Sequence, residues 1–248
     1  MYPLIGIIQK TVVFNLQSNS GWGWALLVTI PILIIFWKLA QRFSSFTTAE
    51  DVKIEMKVKL NDKKVWFRIL GLMFITVSAI SLFSAAFGEV PEKQQAFFAA
   101  FKQFDEITAI PLLLSIALTA GVVEETFYRG YIQNVLVRAY PKTGAFIGIA
   151  ILFALMHFLP LPLILAYIIV SSCYSIVADE FKSLGAVIFA HILVDIVLLL
   201  MGYYSSIGDA ESVPVIPMLI TLVIALLLLF YRNETFKLNK RKSLSIQS

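Results

Sequence analysis

TAIPLLLSIALTAGVVEETFYRGYIQNVLV, residues 108–137, is an apolar run longer than a bilayer crossing needs, and it carries Glu124, Glu125 and Arg129 in its second half. About 20 apolar residues cross the hydrocarbon as a helix, so this one must tilt or protrude. Each charged side chain near mid-bilayer costs about 2.5 to 3.5 kcal/mol on the insertion scale. Three such groups in one span call for partners on other helices. The same pattern recurs further on, where His157 stands at the end of the run 143–158 and His191 and Asp195 stand inside 184–203. Those are the chain's two histidines. A lone histidine on an apolar face is most often a satisfied core residue, but both histidines falling beside intramembrane acids points to a shared polar site.

The rest of the chain agrees with a membrane setting. Of 248 residues, 59% are hydrophobic and 15% charged, with a mean hydropathy of +0.84; a soluble globule carries roughly 25% charged residues. This excludes a soluble enzyme or a secreted disulfide scaffold. No nucleic-acid partner is expected, since only short loops could carry one. The single Cys173 lies in an apolar run, can form no intrachain disulfide and reads as core filler.

Working outward, further spans are expected at 22–40, 66–87, 161–178 and 214–231, which with 108–137, 143–158 and 184–203 makes seven. If the first seventeen residues also cross there are eight, although Ile5, Ile8, Val12 and Leu16 interleaved with Gln9, Lys10 and Asn15 suit an interfacial helix better. The fold class is thus an all-α polytopic membrane protein with a polar active site buried among its helices. Basic residues crowd the segment from Lys38 to Arg68 and the tail from Arg232 to Lys242, which places both, and the C-terminus, in the cytoplasm. Residues 51–60 alternate strictly, as a strand does. Phe97, Phe101, Phe104 and Ile107 share one helical face and predict an amphipathic helix on the outer surface, an anchor rather than a gate. Three parts follow: 1–107 with the first two spans, a core over 108–205, and 206–248 with the last span and basic tail.

Helical spacing then sorts the polar residues. Glu125 and Arg129 are four apart with the acid first, the favourable order for an ion pair. Glu124 points about 100° away, which leaves it available as a general base. His191 and Asp195 are also four apart, so the carboxylate can hold the imidazole or both can face one metal. Phe153 shares a face with His157 and predicts a pocket wall. Counting the rise along each helix puts the site in the inner half of the bilayer, opening toward the cytoplasm.

Taken together these residues resemble the CPBP intramembrane proteases, the family of the CAAX-processing endopeptidases and the bacteriocin-processing and immunity proteins. Its motif Glu-Glu-x-x-x-Arg stands here at Glu124 to Arg129, Phe-x-x-x-His at Phe153 to His157, and His-x-x-x-Asn/Asp at His191 to Asp195. The resemblance implies peptide-bond hydrolysis within the membrane, on a peptide or membrane-protein substrate. It makes Glu124 the residue that activates water, His157 its helper, and His191 with Asp195 the remainder of the catalytic set, with Glu125 and Arg129 as a structural pair. It leaves two chemistries open: a divalent metal such as zinc held by Glu124, His157 and His191, or the same groups acting without metal as base and oxyanion stabilisers. Asp195 stands where some members carry asparagine, and an ionised carboxylate cannot donate to an oxyanion; orienting His191 is its expected role. The resemblance also makes the plasma membrane of a prokaryote the expected location. Two other readings fit the same residues: a non-proteolytic immunity or scaffold protein of this family, and a proton-coupled transporter.

Overall fold

Apolar runs bounded by prolines and charges become helices because, in lipid, every backbone polar group must find its partner within the segment. The computed structural model of the chain describes residues 24–44, 63–87, 92–157, 159–205 and 215–230, and among these there are helices but no strand. They are α1 (Trp24–Ser44), α2 (Lys63–Phe87), α3 (Glu92–Phe101), α4 (Glu106–Glu125), a π-helical segment Thr126–Ile132, α5 (Gln133–Ala139), α6 (Lys142–Leu155), α7 (Leu161–Phe181), α8 (Gly185–Ser205) and α9 (Val215–Phe230). The strand-like stretch 51–60, the first seventeen residues and the basic tail lie outside the described residues.

Five stretches are long and apolar enough to cross a membrane: Trp24–Arg42, Lys63–Phe83, Glu106–Ala139, Leu161–Phe181 and Gly185–Tyr204. They mark an integral membrane protein. At the two other expected crossings stand shorter apolar helices, Lys142–Leu155 and Met218–Leu229. The expected run 143–158 therefore ends early: α6 stops at Leu155, and His157 sits in the turn after it. Pro160 and Pro162 account for this, since α7 takes proline in its first turn, where the missing N–H costs nothing.

The helices run up and down. Arg68 of α2 forks onto Glu180 of α7 at 2.8 and 3.0 Å and also caps the Leu228 carbonyl of α9 at 2.6 Å. Lys142 at the start of α6 reaches Asp179 at 2.9 Å, and Lys182 bonds the same carboxylate. Lys182 takes the left-handed conformation, φ 48°, that closes α7. These contacts tie one end of the bundle together, and Lys63, Lys64, Arg138, Lys142 and Lys182 lie there. The other end holds α3, the start of α4 capped by Asp105 on the Thr108 N–H at 2.9 Å, and the end of α8, where the Tyr203 hydroxyl reaches the Phe104 carbonyl at 3.5 Å.

Packing is inside out relative to a soluble protein. Leu27, Ile35, Leu155, Leu161 and Leu227 face outward, while Glu125, Arg129 and Gln133 are fully buried. The close approach of α4 to α8 rests on Gly121: a Cβ there would lie 2.5 Å from the Ile192 side chain and 3.0 Å from its backbone nitrogen. Backbone cannot yield as a side-chain tip can, so a glycine is required where the two site-bearing helices cross.

Candidate active site

The site begins with a buried ion pair. Glu125 ends α4, and Arg129 follows one turn later in the π segment, donating from Nη1 to Glu125 Oε1 at 3.0 Å with both side chains all but sealed from solvent. The guanidinium also donates from Nη2 to the Ser171 hydroxyl at 2.6 Å and carbonyl at 3.1 Å on α7. Its plane lies over Phe153 at 4.8 Å and Tyr174 at 5.5 Å. A charge on a low-dielectric path is tolerated only when matched on several sides, and Arg129 is so matched. One turn on, Gln133 donates to the Ser175 carbonyl at 3.0 Å. The π segment and the start of α5 are thus joined to α7 by two polar pairs, Arg129–Ser171 and Gln133–Ser175, four residues apart on each side.

Glu125 has a second task that spacing did not disclose. The same Oε1 lies 2.7 Å from His191 Nδ1, so the imidazole donates from Nδ1 and turns Nε2 into the cavity. Asp195, expected to orient the ring, lies at its other nitrogen, so the two carboxylates flank the imidazole. Asp195 Oδ2 is 3.5 Å from His191 Nε2, on the cavity side of the ring and past good hydrogen-bond length. A pattern of i, i+4 within α8 could not show a competing carboxylate arriving from α4.

His157 is presented in the same manner. Its Nδ1 donates to the Phe153 carbonyl at 2.8 Å, since a carbonyl can only accept. Its ring packs between Phe153 at 4.6 Å and Tyr167 at 4.8 Å. Phe153 lines the cavity as a wall, as expected. Both imidazoles direct Nε2 at Glu124, whose Oε2 is 4.0 Å from His157 and 3.9 Å from His191. All six polar residues singled out in the sequence therefore meet in one place.

For the expected metal trio, Glu124, His157 and His191, the donor types suit zinc. The spacing does not make a ligand set: among the described residues no group of three or more His, Cys, Asp or Glu side chains is placed to hold a metal ion.

The cluster lies at one end of a cavity of about 530 Å³. Arg129, Ser171 and Tyr174 floor it toward the basic end of the bundle, and the lining continues the other way through Ala120, Ile116, Leu198 and Leu199 to Phe97 and Phe98. Arg129 and Gln133 are fully buried on the side of the basic end, where the opening is expected, and the lining continues in the opposite direction. Nor is α3 a bare surface anchor: Phe98 and Phe101 are buried and Phe97 faces the cavity. Ser171, Tyr167 and Tyr174 are site residues the sequence reading missed; the signal available was Ser171 and Ser175, one turn apart in the apolar α7.

Residues 106–197 match the family described as type II CAAX prenyl endopeptidase Rce1-like. That segment is similar to the Rce1-like family, consistent with the CPBP resemblance of its motifs. Neither the curated proteins nor the solved structures give a match. Every charged or imidazole group of the site falls inside the matched segment, while Phe97, Phe98, Leu198 and Leu199 of the cavity wall fall outside it.

Proposed function

We propose that the chain is an intramembrane endopeptidase in which Glu124 activates the attacking water. The observation that carries this is the placement of Glu124 Oε2 about equally far, 3.9 and 4.0 Å, from two imidazole nitrogens whose partner nitrogens are already engaged. Separations beyond 3.5 Å between polar atoms suit a bridging water. Glu124 takes a proton from that water, His157 Nε2 accepts its second hydrogen and aims the oxygen, and the scissile carbonyl is attacked. His191, fixed by Glu125, turns Nε2 toward the developing oxyanion, and as imidazolium it donates there with Asp195 balancing its charge. Glu124 then returns its proton to the leaving amine. The Rce1-like match supports peptide-bond hydrolysis on a peptide or membrane-associated protein.

The role of Asp195 separates by Asp195→Asn, which keeps shape and removes charge. Loss of its support for His191 is expected to slow turnover by about 10 to 100-fold, measured on a quenched peptide in nanodiscs. Full activity across pH would leave Asp195 a bystander.

We also read the bundle as seven crossings with the basic end cytoplasmic, so that the cavity extends toward the outer leaflet. In a Cys173→Ala background, an impermeant thiol reagent applied outside should label Lys102→Cys and miss Tyr140→Cys; both positions are exposed, at opposite ends. The reverse labelling would invert the bundle.

A further inference from the structure

Below the cavity floor, the apolar helix α7 carries three polar groups on one face: Ser171, Ser175 and Asp179, each four residues after the last. The helix packed beside it carries Glu125, Arg129 and Gln133, again four apart. The two rows meet as rungs, Arg129 on Ser171 and Gln133 on Ser175. The row on α7 ends at Asp179, which is partly exposed beside Lys142 and Lys182 at the basic end. From Ser171 to Asp179 the ladder climbs about 12 Å at about 1.5 Å per residue.

The rungs are incomplete. Glu125 Oε2, Arg129 Nε, Gln133 Oε1 and Ser175 Oγ are buried and, among the described residues, make no hydrogen bond within the protein. Buried polar atoms nearly always have a partner, because leaving them alone away from water is costly. Glu125 Oε2 and Gln133 Oε1 can only accept, Arg129 Nε can only donate, and the Ser175 hydroxyl does either. A ligand for these atoms must therefore donate and accept at once. The guanidinium excludes a metal cation, and the two acceptors exclude an anion. Water meets both demands, and typically makes about three hydrogen bonds to such groups when buried. The spacing agrees as well: rungs about 6 Å apart are spanned by one molecule bonded at about 2.9 Å on each side.

We propose that Arg129 Nε, Gln133 Oε1 and Ser175 Oγ bind an internal water, and that this water links the polar cluster to the aqueous phase at the basic end. Its use in hydrolysis rests on the peptidase reading. Each cleavage breaks one C–N bond and consumes one water, whose oxygen enters the new carboxylate, and the ladder resupplies it. The test is a structure of the full chain in nanodiscs, at a resolution that shows internal water, for the parent, Ser175→Val and Ser175→Thr. Turnover of a quenched peptide is followed for each. Valine and threonine share a shape and differ by the hydroxyl; Ser175→Ala carries the test if that pair does not fold. Solvent density is expected between the three atoms in the parent and in Ser175→Thr, and not in Ser175→Val. Losing one hydrogen bond should lower the water's occupancy, and with it kcat, about fivefold. KM should stay unchanged, and threonine should restore both density and kcat. No density at the site, in a parent map that shows other buried waters, overturns the proposal and spares the peptidase. So does an equal, measurable kcat in folded valine and threonine variants. Hydroxyl-dependent density in a parent that cleaves no peptide overturns the peptidase and spares the water site.

Discussion

Glu124→Gln is expected to abolish cleavage while leaving the bundle folded. The amide keeps the volume and can still accept a hydrogen bond, but it cannot take a proton from water. A positioned general base contributes typically about 10²- to 10⁴-fold, and with no second carboxylate as close to both Nε2 atoms the loss should reach the assay floor. Folding should survive because Glu124 is not the partner of Arg129. The readout is twofold: turnover of a quenched peptide, and the membrane peptidome of cells carrying the parent or the variant, where accumulating precursors would reveal the substrate. Equal turnover of variant and parent would remove the peptidase reading.

Glu125→Gln should fail differently, by lowering folded yield first. Its Oε1 receives Arg129 at 3.0 Å and His191 at 2.7 Å, with essentially no solvent at the carboxylate. Removing one charge of a buried pair leaves the other uncompensated, at about 3 to 5 kcal/mol, and the imidazole loses its fixed orientation as well. The double variant Glu125→Gln/Arg129→Met discriminates between these consequences. With no stranded charge it should regain melting temperature, yet stay about 10 to 100-fold slow because nothing holds His191 Nδ1. A single variant that melts like the parent, or a double variant with full turnover, would show that the carboxylate neither anchors the bundle nor sets the ring.

What could be read from the residues alone were features that repeat along one helix. Run length and charge content expose the spans, and the i, i+4 order of Glu125 and Arg129 gives an ion pair that stands at 3.0 Å in the structure. Features made between helices were hidden. Ser171 as a second partner for Arg129, Glu125 as a partner of His191, and Phe98 in the cavity wall each depend on which helix faces which, and spacing within one helix is silent on that. The apolar run 143–158 carries His157 at its end, while the two prolines beyond it decide the local backbone and stop the helix at Leu155. The π segment was hidden too: its wide turn holds one extra residue, and the apolar run 108–137 offers no uninterrupted polar stripe on which that turn would show.

That extra residue has a consequence for how such a chain can change. A π turn is an α-helix with a residue inserted, and because each of its residues rotates the chain by less than an α-helical residue does, the wide turn takes up the extra residue locally. Excising one between 126 and 132 would let the helix close as α with Gln133 still facing Ser175, while the turn that carries Arg129 to Ser171 would have to be rebuilt. The segment therefore acts as a slack link between the half of the helix that carries Glu124 and Glu125 and its basic end. A single deletion there should disturb the seat of Arg129 first and the register of α5 little.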